Sequence, residues 1–215
     1  LLETKRLFIR EMVQSDLDAL CTILCDEEVM QIAYGHAFTV EEAQQWLNRN
    51  LKRYEDYGFG LWAVICKETN EMIGQCGLTM QQWRGQGILE IGFSFQKAYW
   101  HQGYAIESAL ACKEYAFSAL NADWVYAIIR DINISSQKVA IRTGMQMIDQ
   151  DSKNFRNIDM ELLLYAVERT KELNQNRSLI LPISSDLNIQ LTSLNFSKHE
   201  QDYHLINLEN SKAEQ

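Results

Sequence analysis

Hydrophobic and polar positions along the chain alternate in some stretches, recur every three to four residues in others, and run unbroken in a few. RLFIRE alternates like a first strand. In SDLDALCTILCDEEVM the residues Leu17, Leu20, Cys21, Leu24 and Cys25 recur at helical spacing behind Ser15, a suitable N-cap. A second helix is predicted from Thr39 through about Tyr54, because Thr39 and Glu42 form a capping-box pattern ahead of Ala43, Trp46, Leu47 and Leu51. The intervening AYGHAF has no regular period. GLWAVICKETNEMIGQCGLTM predicts two strands joined by a turn at residues 68–71, and ILEIGFSF a third after a loop marked by Trp83, Arg84 and Gly85.

From Gly103 to Leu120 the apolar positions Ile106, Leu110, Phe117 and Leu120, beside Ala105, Ala109, Cys112 and Ala116, predict a helix buried on a broad face. DWVYAIIR is a nearly continuous apolar strand, ISSQKVAIRTG a short helix stopped by Gly144, and MQMID and NIDMELLLYAV two closing strands. A meander followed by strand, helix and strand requires a crossover connection, so the sheet is mixed and the class is α+β. After residue 169 the composition shifts toward Asn, Gln and Ser and includes the one proline, Pro182. Residues 1–169 are therefore read as the folded domain and residues 170–215 as an extension of unassigned role, whose apolar positions would suit a homodimer contact or a cover over the cleft.

Composition narrows the function classes. A chain of 215 residues that is 47% hydrophobic fills a sizeable core. A formal net charge of -9 argues against nonspecific binding to nucleic acid, which needs clustered Lys and Arg, and suits a cationic acceptor. The five cysteines have no metal-ligand spacing and fall in apolar patterns, so they read as reduced core residues with no metal. No apolar run reaches membrane-spanning length and no leader pattern is visible, which predicts no membrane association and a cytoplasmic location.

The stretch WHQGYAIE, residues 100–107, separates a strand from a helix with a short polar break. The first N–H groups of a helix have no internal partner and its dipole favours negative charge there, while Gly103 and Ala105 are small enough for a phosphate to approach the backbone. Taken alone, such a break is as readily a connector as an anion site. It is neither a Walker loop nor a dinucleotide-fold glycine pattern.

Taken with the order of elements, Trp100, Gly103, Tyr104, Ala105 and Glu107 followed by Asn133, Ser136, Val139 and Gly144 resemble the GCN5-related N-acetyltransferase (GNAT) superfamily, and within it the RimJ/RimL-type branch. The resemblance spans roughly residues 3–168. Three departures stand out: His101 where the branch has glycine, Arg142 where it has lysine, and Met145 where it has phenylalanine.

The resemblance implies a GNAT fold, with a mixed, mostly antiparallel sheet of about six to seven strands flanked by helices, and acetyl-CoA as cosubstrate. It further implies that backbone N–H groups of His101, Gln102, Gly103, Tyr104 and Ala105 hold the CoA diphosphate, that Phe93, Ser94 and Phe95 pair with the pantetheine arm, and that Asn133 and Ser136 contact the cosubstrate. Ser136 would also donate to the leaving thiolate. Glu90 begins the third meander strand beside the cleft and is the candidate base, because partial desolvation raises a carboxyl pKa toward neutrality. A plain strand-end glutamate is its other reading, and helix capping beside Asn133, itself a good N-cap, that of Ser136. The acceptor is expected to be a protein or peptide N-terminal amine. A small amine such as a polyamine, amino acid or drug, or a non-catalytic acyl-CoA-binding protein, are the alternatives.

Overall fold

The structure, a computed structural model, describes residues 2–155 and 158–170; apart from residue 170, the expected extension lies outside the described residues. Eight strands, β1 (Leu2–Glu3), β2 (Leu7–Arg10), β3 (Leu61–Cys66), β4 (Met72–Trp83), β5 (Gln86–Phe95), β6 (Trp124–Arg130), β7 (Gln146–Phe155) and β8 (Ile158–Glu168), form one sheet in the order β1-β2-β3-β4-β5-β6-β8-β7. Five helices flank it: α1 (Leu17–Leu24), α2 (Glu27–Tyr34), α3 (Val40–Tyr57), α4 (Tyr104–Ser118) and α5 (Ile134–Arg142). Every neighbouring pair of strands is antiparallel except β5 and β6, the crossover through α4. The expected α+β class and mixed sheet are found, and the one strand not anticipated is the two-residue β1.

β3 explains why the sheet is covered on both sides. All six of its residues are buried. Leu61, Ala63 and Ile65 pack with Leu20, Leu24, Met30 and Leu47 of α1–α3, while Trp62, Val64 and Cys66 pack with Ala109, Cys112 and Phe117 of α4. α4 lies against the sheet through its small side, and Leu110, expected inside, is 40% exposed.

Three local expectations change. The first predicted helix is two helices, because the Asp26 side chain accepts from the Val29 N–H and starts α2 afresh. Ser15 makes no cap bond among the described residues: Asp16 instead accepts from the Val13 N–H at 2.8 Å and from both terminal nitrogens of Arg10. Of the five cysteines, Cys66, Cys76 and Cys112 are buried, whereas Cys21 and Cys25 are only half-buried. The capping box of α3 forms as predicted, with Thr39 and Glu42 bonding each other's backbone N–H.

The β4–β5 hairpin turns through Arg84 and Gly85, both at positive φ, as tight hairpin turns require. Its tip reaches β7 on the far edge of the sheet: Trp83 Nε1 donates to Asp149 at 2.9 Å and Arg84 Nη2 to the Gln150 carbonyl at 2.7 Å. The hairpin thereby arches over β6 and β8. Trp83, Ile88, Met160, Leu162 and Leu164, with Tyr126 and Ile128, form a third small core beneath it.

Candidate active site

β5 and β6 are bridged at one residue pair among the described residues, Glu90 with Tyr126. Beyond that pair the strands part, leaving Gly92 to Phe95 paired to β4 alone. A fork in a sheet strands backbone donors, and here a side chain fills the gap: Glu90 Oε1 accepts from the Ile128 N–H at 3.2 Å, while Thr79 Oγ1 donates to Glu90 Oε2 at 3.2 Å. Gln81 Nε2 in turn donates to Thr79 Oγ1. Thr79 is the direct cross-strand partner of Glu90, so the register set by the Arg84–Gly85 turn aligns the two.

The Glu90 residue keeps some accessible surface, but protein surrounds its carboxyl. Burial pushes its pKa up to about 7, against the opposing pull of the Ile128 N–H, the Thr79 hydroxyl and the Arg53 charge. Tyr34, at the end of α2, is close enough for the Glu90 charge to add to the burial that pushes its phenol up. Its ring packs against Phe38 and edge-on to Trp46, giving the fork an aromatic wall on the α1–α3 side.

At the other end of the fork, a half-buried polar chain runs from Trp46 Nε1 to Gln75 Oε1 at 3.1 Å, and from Gln75 Nε2 to Ser94 Oγ at 3.0 Å. Ser94 is thus fixed by its side chain, whereas Phe93 and Phe95 join the core on the α4 side. The loop after β5 is tied back by Trp100, whose Nε1 donates to the Phe95 carbonyl at 2.9 Å. His101 and Gly103 both adopt left-handed backbone, φ 59° and 83°. That explains why a glycine suits position 101, and the histidine there carries a strain of about 1 kcal/mol.

The N–H groups of His101 through Ile106 make no hydrogen bond among the described residues; the first satisfied donor is Glu107, to the Gly103 carbonyl at 3.0 Å. Six adjacent unpaired donors at the mouth of α4, with His101 and Gln102 exposed, fit an anionic group such as a diphosphate. Asn133 caps α5 by accepting from the Ser136 N–H at 3.1 Å. Ser136 is half-buried and its hydroxyl makes no hydrogen bond among the described residues.

Thr79, Gln81, Tyr34 and the Ile128 amide were not legible as site members in the sequence. The signal for Thr79 was present, since counting back from the hairpin turn sets it opposite Glu90. A residue outside the loop, Arg6, was also missed; its Nε donates to Glu107 Oε2 at 2.7 Å.

The Acetyltransferase (GNAT) domain model matches residues 6–146. The uncharacterized protein YkkB of Bacillus subtilis is 32% identical over 164 residues, spanning 76% of this chain and 93% of that protein. The uncharacterized N-acetyltransferase YnaD of the same species is 32% identical over 143 residues, 66% of this chain and 81% of that one. Among solved structures, a GNAT-family acetyltransferase from Bacillus anthracis superposes with a TM-score of 0.67 at 24% identity, over 78% of this chain and 97% of that one. RimL, a ribosomal-protein α-N-acetyltransferase solved with coenzyme A, gives a TM-score of 0.65 at 17% identity, over 77% and 95% of the two chains.

Proposed function

The chain belongs to the GNAT acetyltransferase family, and from that premise we propose that it moves acetyl from acetyl-CoA directly to a protein or peptide N-terminal amine, with Glu90 as base. The observation that carries this is the carboxyl in the β5/β6 fork with a pKa near 7. A nucleophilic amine must first lose a proton. From an α-ammonium of pKa about 7.7–8.0 to such a carboxylate the transfer costs about 1 kcal/mol, whereas from a lysine of pKa about 10.4 it costs about 4–5 kcal/mol. That difference favours an α-amine as the acceptor.

Acetyl-CoA, when bound, supplies an acyl group activated as a thioester. Glu90 takes the proton from the acceptor ammonium. The nitrogen lone pair would then form a bond to the carbonyl carbon as the carbon–sulfur bond breaks; the Ser136 hydroxyl would donate a hydrogen bond to the departing sulfur and relay to it the second proton shed by the acylated nitrogen, so that serine ends neutral, CoA leaves as the thiol and Glu90 returns its proton to solvent. The amides of His101 to Ala105 would hold the diphosphate, the open edge of Phe93, Ser94 and Phe95 the pantetheine arm, and Asn133 the arm near the sulfur. The loop motif supports a place in the RimJ/RimL-type branch. Fold-level likeness to ribosomal-protein acetyltransferases is in keeping with a protein acceptor. Five free thiols are in keeping with a cytoplasmic setting; no helix among the described residues is long and apolar enough to cross a membrane.

Glu90→Gln tests the assignment. With an N-terminal peptide and acetyl-CoA, kcat/KM is expected to fall at least about a hundredfold, and the rise in rate near pH 7 to move up to the acceptor's own pKa of about 7.7–8.0, while acetyl-CoA affinity is kept. An unchanged pH profile would exclude Glu90 as base. Running lysine side chains, polyamines and free amino acids alongside tests the acceptor: a higher kcat/KM for any of these than for the peptide would move the acceptor class.

A further inference from the structure

Arg6 lies in the turn between β1 and β2, far in sequence from the mouth of α4 but built into it. Its Nε donates to Glu107 Oε2 at 2.7 Å and its Nη1 to the Gln102 carbonyl at 2.9 Å, and the guanidinium sits over the Tyr104 ring, 4.2 Å from the centroid. Its own N–H and the Thr4 hydroxyl both donate to Glu107 Oε1, at 2.9 and 2.7 Å. Fixed by these contacts, the side chain is still 39% exposed. Its remaining nitrogen, Nη2, makes no hydrogen bond among the described residues and stands 3.4 Å from where a Cβ on Gly103 would be.

Glu107 poses an electrostatic problem that Arg6 answers. A carboxylate in the first turn of α4 occupies the place where unpaired amides and the helix dipole would attract an anion. Although burial pushes its pKa up, the bonds from Thr4 and Arg6 hold Glu107 below the ordinary carboxylate range, so it is ionised and would repel a phosphate if left uncompensated.

Building on the acetyl-CoA reading above, we infer that Arg6 is a phosphate-binding residue of that site: it cancels Glu107 and presents Nη2 to a phosphate oxygen lying across Gly103. A guanidinium suits this because its planar fork serves Glu107, the Gln102 carbonyl and a third acceptor at once. A purely structural clasp between the β1–β2 turn and α4 would use the Glu107 bond but leave the outward edge without a purpose.

Calorimetry of acetyl-CoA binding to the full chain, in wild type, Arg6→Gln, Glu107→Gln and the double variant, tests this beside saturation-transfer NMR of S-acetylpantetheine. The latter carries the same thioester arm without phosphates and is read at millimolar affinity. Arg6→Gln is expected to weaken acetyl-CoA about ten- to a hundredfold, as for loss of a charge-assisted hydrogen bond, and to leave S-acetylpantetheine unchanged. The double variant should stay at least about tenfold weaker than Glu107→Gln alone. If it instead recovers the Glu107→Gln affinity, Arg6 merely neutralises and the direct contact is wrong. Equal losses for the two ligands would make Arg6 a structural clasp. A wild type that takes up neither ligand would sink the acetyl-CoA reading itself. Should Arg6→Gln not fold, Arg6→Lys makes the same comparison: it keeps the charge but cannot reach three acceptors together, so an intermediate loss confined to acetyl-CoA is expected, and losses equal for both ligands would overturn the inference.

Discussion

Glu90 is asked to be buried and to be a base, and the two demands act in opposite directions on stability. Its pKa in the folded chain, about 7, lies above the ordinary glutamate value of 4.5. Below the ordinary value both folded and unfolded chains are protonated and nothing is lost. As pH rises toward 7 the unfolded carboxyl ionises first, so the folded state loses stability across that window and keeps a constant penalty above it, on the order of 3 kcal/mol. Glu90→Gln is accordingly expected to be more stable than wild type at pH 8 and nearly equal at pH 4, which thermal unfolding at several pH values checks. Asp16 has the opposite sign: although burial raises it, Arg10 and the Val13 N–H hold its carboxyl below the usual range, and its contribution is lost as pH falls. Gly103 gives a second test at this scale. With φ at 83°, Gly103→Val forces a β-branched residue into left-handed backbone at a cost of about 1–2 kcal/mol and sets a side chain between the amides and Arg6. Calorimetry should show acetyl-CoA binding abolished.

Among the elements, what was legible was whatever one segment decides for itself. The α3 capping box, the strand alternation, the Gly144 stop and the Asn133 cap depend on neighbours a few residues away, and each is found. The division of α1 from α2 was missed because the apolar spacing of Leu17, Leu20, Leu24 and Cys25 continues smoothly up to it; the break is made by the Asp26 cap, which periodicity does not register. The arch of the β4–β5 hairpin was out of reach for a different reason, since it depends on Trp83 meeting Asp149 across 66 residues of chain. Trp83 is 5% exposed and anchors the third core. Trp83→Ala is expected to cost about 3–5 kcal/mol, and Trp83→Phe about 1–2 kcal/mol because it keeps most of the packing and loses the bond to Asp149. Chemical denaturation of the two variants separates these terms.

At the scale of the molecule, the sheet is two antiparallel blocks, β1–β5 and β6–β8–β7, and β5 and β6 make one residue bridge where they meet. The blocks do not depend on that seam for cohesion, because the core on the α4 side draws residues from both: Trp62 and Val64 from one, Val125, Ala127 and Tyr165 from the other. Backbone groups at the seam can therefore stay unpaired without loosening the whole.

An unstitched seam also leaves a trace that can be followed by weight. Amide protons along Gly92–Phe95 that no neighbouring strand protects on the β6 side should trade with heavy water sooner than those in the middle of β3, which is paired on both edges. If the pantetheine arm lies along that edge, saturating the protein with acetyl-CoA should slow deuterium uptake there and at residues 101–106 together, while β3 stays as it was. A mass spectrum would then follow the cosubstrate completing the sheet, with no need to know what it acetylates.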